Sequence, residues 1–371
     1  MIADKMDLLS LTRWRLTCTT NYLETKSSFR RSLTKLLNRF VPCPLALIDI
    51  VSEYHAIFGG ELALSFMLRD DSYLPQDLEI FASHFDFEGL CDAVTDHSDI
   101  ADKIEGSTYI HNTVLYSIRR LVSATQILHM AGGRNIIIHR SYTTSASGPL
   151  TRSICTALSN FVTPYGFGCS HPALTFKRRA LLADQEIPHL TPYDRTIMNR
   201  LLKARFSMAV SPAAWPEYRR PSHLEDSDDP DIAFTAFAGD GEVLEPDDDH
   251  VVAKECWRHL YVCPSQGRYF GDPGSFVDFF DPVGGDEAHC VENGITPYGP
   301  MAIWRVPSTF DCEEGCDYFD EVLEEGVTSI PVLFNKDPYG ELRDCLSDRS
   351  MGNITRDSCR GRVGRLRSRS I

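Results

Sequence analysis

Phe58-Gly59-Gly60-Glu61-Leu62-Ala63-Leu64-Ser65-Phe66, followed after a loop by Gln76-Asp77-Leu78-Glu79-Ile80-Phe81, is the stretch that decides the fold. A glycine pair ahead of an apolar run lets backbone N–H groups approach an anion at a helix N-terminus. The second segment reads as a strand. Side chains alternate along a strand, so Asp77 and Glu79 share one face. Two carboxylates on one face can share divalent metal ions.

Upstream, residues 7–40 read as helix: Leu8, Leu9, Leu11, Leu16 and Leu23, then Phe29, Leu33, Leu36, Leu37 and Phe40, form apolar stripes between charged positions. Pro42 and Pro44 break the pattern, and a second helix at about 45–55 leads into the glycine pair. Downstream, residues 85–95 read as helix. The runs 121–130 and 135–141 flank Gly132-Gly133 as a hairpin. Residues 149–161 read as helix and 167–169 as a short strand. Thr191-Pro192-Tyr193-Asp194, a capping hydroxyl before proline, opens a helix to about Phe206.

The fold class that follows is α+β: a helical N-terminus, a small mixed sheet and a loop-rich C-terminal half. The expected divisions are a helical segment at 1–44, an α+β domain at 45–210, an acidic loop or disordered insertion at 216–250, a loop-rich part at 251–342 packed on the preceding domain, and a basic flexible tail at 343–371. The formal net charge is −15, but it is unevenly spread. Ser222 to His250 holds eleven acids and no Lys or Arg, whereas Arg349 to Ile371 holds seven Arg and one acid. Such blocks are solvated loops and tails. The acidic balance argues against broad nucleic-acid binding. No run approaches the roughly 18 uncharged apolar residues of a membrane span, and the acids of the first seven residues do not suit a signal peptide. An intracellular protein, in cytoplasm or nucleus and off the membrane, is the expectation. The twelve cysteines are then free thiols rather than a disulfide framework.

The glycine and carboxylate pairs together resemble the nucleotidyltransferase superfamily, over about residues 45–170. The resemblance implies that Gly59 and Gly60 contact a nucleotide triphosphate and that Asp77 and Glu79 bind catalytic Mg²⁺. It also implies a third carboxylate on an adjacent strand. The strand at 135–141 offers Ile137 and His139 but no acid, and its hairpin partner has none. Two carboxylates hold metal weakly compared with three. The expectation leans away from an enzyme, with an active metal-dependent nucleotidyltransferase as the alternative.

Asp7 to Tyr22 is similar to the latter half of an F-box: leucines, then a core of arginine, leucine and cysteine, then an aromatic. The resemblance implies docking of a Skp-type adaptor through Leu8, Leu9, Leu11, Leu16 and Cys18. An ordinary amphipathic helix in the protein's own core is the competing reading. Taken whole, the chain resembles fungal families of F-box-like proteins with a degenerate nucleotidyltransferase-like domain. A non-enzymatic protein-interaction protein is the function this implies.

Cysteine spacing supplies a further candidate. Cys256 and Cys263, with Cys290 and then Cys312 and Cys316, could supply thiolates to Zn²⁺ in a zinc-stabilised binding module, although only Cys312/Cys316 has the spacing of a knuckle. Cys169 and His171 form another pair. Lys177-Arg178-Arg179, with Arg119, Arg120 and Arg152, is a candidate anion patch beside the glycines.

Overall fold

Two amphipathic helices open the chain in the computed structural model, which describes residues 2–69, 73–111, 121–142, 145–218, 257–270, 272–280, 302–304, 306 and 329–331. The acidic segment beyond 218, the basic tail, and Cys256, Cys290, Cys312 and Cys316 lie outside the described residues. Helix α1 (Leu8–Arg15) is capped by Asp7, whose carboxylate accepts from the Ser10 backbone N–H at 2.8 Å. Helix α2 (Thr19–Leu37) buries Phe29, Leu33, Leu36 and Leu37, the stripe read from the sequence. The helical run at 7–40 is therefore two helices with a break at residues 16–18. Pro44 starts α3 (Pro44–Glu53) at the position where its missing N–H costs nothing.

Strand β1 (Ile57–Phe58) runs into the glycine pair, and α4 (Gly60–Leu68) begins on it. Residues 60–67 are all buried, as expected of a helix that is almost wholly apolar. Next come β2 (Leu78–Ala82), α5 (Phe87–Asp96), the short α6 (Ser98–Ala101), β3 (Ile104–His111), β4 (Val122–Met130) and β5 (Arg134–Ser141). Then follow β6 (Asn160–Val162), β7 (Gly166–Cys169), α7 (Pro172–Thr175), β8 (Arg179–Leu181), α8 (Pro192–Lys203) and β9 (Ser207–Ala209). The C-terminal part supplies β10 (Arg268–Tyr269), β11 (Phe276–Phe279), β12 (Ala302–Trp304) and β13 (Ser329–Pro331).

Eight strands form one mixed sheet in the order β11-β7-β6-β1-β2-β5-β4-β3. Only β2 and β5 run parallel; every other neighbouring pair is antiparallel. The molecule is α+β, a helical N-terminus followed by a mixed sheet. One sheet face carries Phe58, Leu78, Ile80, Ala82, Ile136 and Ile138 into the main core against α2, α3 and α5. Phe29, Phe66, Phe167 and Phe280 meet there, with ring centroids 5.0–6.4 Å apart. A second core lies beyond α4, where Leu64, Tyr73, Ile154, Leu158, Ile197, Leu201 and Phe206 pack together. Helix α4 joins the two cores.

Three further elements differ from the sequence reading. Residues 149–161 do not form a helix. They fold as 3-10 turns at Gly148–Arg152 and Thr156–Leu158 and then as β6. The Thr156 hydroxyl accepts from the Leu181 backbone N–H at 3.0 Å, and the Cys155 backbone bridges Leu182, so this stretch is held by neighbouring chain rather than by its own helical turns. Strand β3 lacks the alternation that betrays a strand, because its residues are mostly exposed at the sheet edge. Strand β11, from the loop-rich C-terminal part, closes the opposite edge of the sheet. Arg15 of α1 secures it, donating to Asp278 Oδ1 at 2.7 Å and to the Phe279 carbonyl at 2.8 Å. Among the described residues no helix is long and apolar enough to cross a membrane.

Candidate functional site

The alternation read from the sequence does place Glu79 and Phe81 on one face of β2, with Asp77 just ahead of the strand. Gly59 is extended and Gly60 sits at φ +55°, a left-handed conformation that favours glycine. Both approaches are close. A Cβ built on Gly59 would lie 2.4 Å from the Phe81 ring, and one built on Gly60 would lie 1.5 Å from Glu79 Oε2. The glycine pair and Glu79 are therefore in direct contact. Glu79 places its carboxylate beside the N-terminus of α4.

The adjacent strand decides what the acids can do. In the parallel β2–β5 register, Glu79 faces Ile137 and Phe81 faces His139. Asn135 Nδ2 donates to Asp77 Oδ1 at 2.8 Å. His139 Nε2 lies 3.7 Å from Glu79 Oε1, its Nδ1 is 3.1 Å from the Thr125 hydroxyl, and its ring stacks on Phe81 at 5.0 Å. The neighbours along β5 that face the two acids are an amide, an isoleucine and an imidazole.

A further carboxylate does stand nearby, but from another direction. Glu61, in the first turn of α4, is fully buried. Arg200 of α8 donates to its Oε1 at 2.8 Å and also pairs with Oε2; Tyr73 donates to Oε1 at 2.5 Å. Burial lifts the Glu61 carboxyl above its ordinary range while Arg200 and Tyr73 pull it back. Its oxygens are committed to those partners. Among the described residues, Asp77, Glu79 and Glu61 do not bring their ligand atoms together as a metal-holding group.

A cleft of about 520 Å³ opens beside this cluster. Phe81, Val122, Ile127, Ile137, Ile154 and Leu158 give it an apolar wall, and the start of α8 closes it with Thr191, Tyr193 and Asp194. Thr191 and Asp194 form a reciprocal capping box, at 3.1 and 2.9 Å, which fixes this rim. The Tyr193 hydroxyl is buried without a hydrogen-bond partner among the described residues. Burial, then the charges of Glu79, Asp77 and Glu61, push its pKa well above the ordinary phenol value. The described lining contains Glu79, Asp194 and His139 but no Lys or Arg.

The chain matches no family model, no curated protein and no solved structure.

The other sequence candidates fall in separate places. Leu8 and Leu11 are buried in the main core and Leu9 is half-buried, whereas Leu16 is 81% exposed and Cys18 is exposed. The five residues do not form one free face; α1 spends its best leucines on the protein itself. Cys263 is buried beside Trp257 and Val262, and its suggested zinc partners lie outside the described residues. Cys169 is wholly buried, and burial pushes its thiol up to about 12. Within the basic patch, Arg179 pairs with Glu217 and lies over the Trp215 ring, Lys177 reaches the same carboxylate at 3.4 Å, and Arg178 donates to the Ala204 carbonyl. None of these lines the cleft, and Arg119 and Arg120 are outside the described residues.

Tyr193, Glu61, Arg200 and Asn135 escaped sequence reasoning. One signal was present. Glu61 is a lone acid in the apolar run Gly60–Leu68, and a buried charge in such a helix demands a cationic partner elsewhere in the chain.

Proposed function

We propose that this protein works by binding rather than by catalysis, on a scaffold of nucleotidyltransferase-like type. The carrying observation is the pairing across β2 and β5, where Asp77 meets Asn135 and Glu79 meets Ile137 and His139. A two-metal transfer needs several oxygen ligands held together. Here an amide donor occupies Oδ1 of one acid, and the other acid lies against Gly60. The cleft beside them is apolar with a negative, hydroxyl-bearing end, which suits an apolar group carrying a neutral or cationic head. A protein partner offering such a side chain fits this chemistry.

Incubation with labelled nucleoside triphosphates and Mg²⁺ or Mn²⁺ tests the reading. The expected result is no incorporation, and no shift in melting temperature with nucleotide. Incorporation that vanishes in an Asp77→Ala, Glu79→Ala variant would overturn it and restore the enzyme.

A second reading, docking of a Skp-type adaptor, draws on one observation: Leu16 and Cys18 stand exposed at the turn between α1 and α2. Capture of that adaptor by the wild-type chain, lost on Leu16→Asp, supports it. Equal capture by both, or none by either, removes it.

A further inference from the structure

Cys43, His97 and Asp99 bring a thiol, an imidazole and a carboxylate together, with all three ligand atoms within 4.8 Å of one another. They come from two different parts of the chain. Cys43 precedes α3 between Pro42 and Pro44, whose rings restrict the backbone on either side. His97 forms the corner between α5 and α6, and Asp99 follows in the first turn of α6. Cys43 Sγ is 4.0 Å from His97 Nδ1. A tetrahedral zinc ion, with Zn–S of about 2.3 Å and Zn–N of about 2.0 Å, holds such atoms roughly 3.6 Å apart. The gap therefore needs to close by only a few tenths of an ångström.

We infer that Cys43, His97 and Asp99 form a binding site for a zinc-type divalent cation, with one coordination position left to water. The donor set selects the metal class. Mg²⁺ and Ca²⁺ take oxygen ligands, whereas sulfur beside imidazole suits Zn²⁺ and its spectroscopic substitute Co²⁺. Cys43 and His97 are half-buried, which limits competing solvent, and Asp99 is exposed, which leaves an entry path. The ion would pin the start of α3 to the α5–α6 corner. This site is independent of the nucleotidyltransferase-like cleft and of the cysteines beyond residue 256.

The full chain, stripped with a chelator and titrated with Co²⁺, provides the test. Wild type should develop a thiolate-to-cobalt charge-transfer band and tetrahedral ligand-field bands, both bleached by Zn²⁺. Cys43→Ser should lose the charge-transfer intensity of this site. Asp99→Asn, at an exposed position that should leave folding intact, should weaken Zn²⁺ binding at least tenfold and reduce the rise in melting temperature that Zn²⁺ causes. Wild type that takes up neither metal overturns the inference. So does a Cys43→Ser protein that folds and keeps the full band, because other thiols then hold the ion. If Cys43→Ser fails to fold, Asp99→Asn decides: unchanged Zn²⁺ affinity removes the site.

Discussion

Asn135 donates its side-chain amide to the Asp77 carboxylate at 2.8 Å, across the one parallel strand pair of the sheet. The bond gives a largely buried acid a neutral donor at one of its two oxygens. Replacing Asn135 with Asp would exchange that donor for a like charge. The variant should lose about 1–3 kcal/mol of stability at neutral pH, the cost of leaving a buried polar group unsatisfied. Mn²⁺ should restore part of the loss by binding between the two acids. Urea unfolding with and without the metal measures both effects.

Gly60, on the cleft lining, has no room for a side chain. Gly60→Ala meets two penalties: a left-handed φ of +55° and a Cβ that collides with Glu79 Oε2. The strained backbone alone costs on the order of 1–3 kcal/mol. Adding Glu79→Ala removes the collision but not the backbone term. The double variant should therefore be more stable than the sum of the single effects, a coupling that a double-mutant cycle reads directly.

The loop-rich C-terminal part is held by a buried ion pair. Arg268 donates to Asp272 at 2.6 and 3.0 Å, to the Tyr261 carbonyl at 2.6 Å and to the Ser170 carbonyl at 3.0 Å. Both side chains are almost fully buried, so removing one charge strands the other. Asp272→Asn should cost about 3–5 kcal/mol in denaturant unfolding. A fully apolar replacement of the pair by Met and Leu should cost less, because no unpaired charge remains.

His171 supplies a pH dependence. It is completely enclosed beside Ser170, and burial, then the Arg268 charge, hold its pKa well below the ordinary value of 6.5. The unfolded chain takes up a proton as pH falls through 6.5, while the folded chain refuses it. Stability from this group is complete above that pH and declines as acid is added below it. Unfolding free energy measured between pH 7.5 and 5.5 should fall with a shallower slope in His171→Gln than in wild type. Equal slopes would show that His171 titrates alike in both states.

The parts of this fold that were legible in the sequence share a property: their signal is local. The glycine pair, the strand that begins just after Asp77, the hairpin around Gly132-Gly133 and the Thr191 capping box each state their geometry within a few residues. Residues 149–161 misled because apolar spacing resembled a helix, whereas long-range bonds from Thr156 and Cys155 decided the backbone. Strand β3 was missed because exposed residues carry no alternation. The site divides in the same way. Asp77, Glu79 and the glycines were readable, and so was the want of an acid on 135–141. Tyr193 and Arg200 were not, since only the tertiary fold brings α8 to the cleft.

Strand β11 has a consequence for how the chain is made. It pairs with β7 although roughly a hundred residues separate Cys169 from Phe276, with the acidic stretch between them. During synthesis the β7 edge waits, hydrogen-bonding groups unpaired, until the ribosome has released residues 276–279. Closing so long a loop is slow. Until then that edge is a template on which the strand of a second chain can pair.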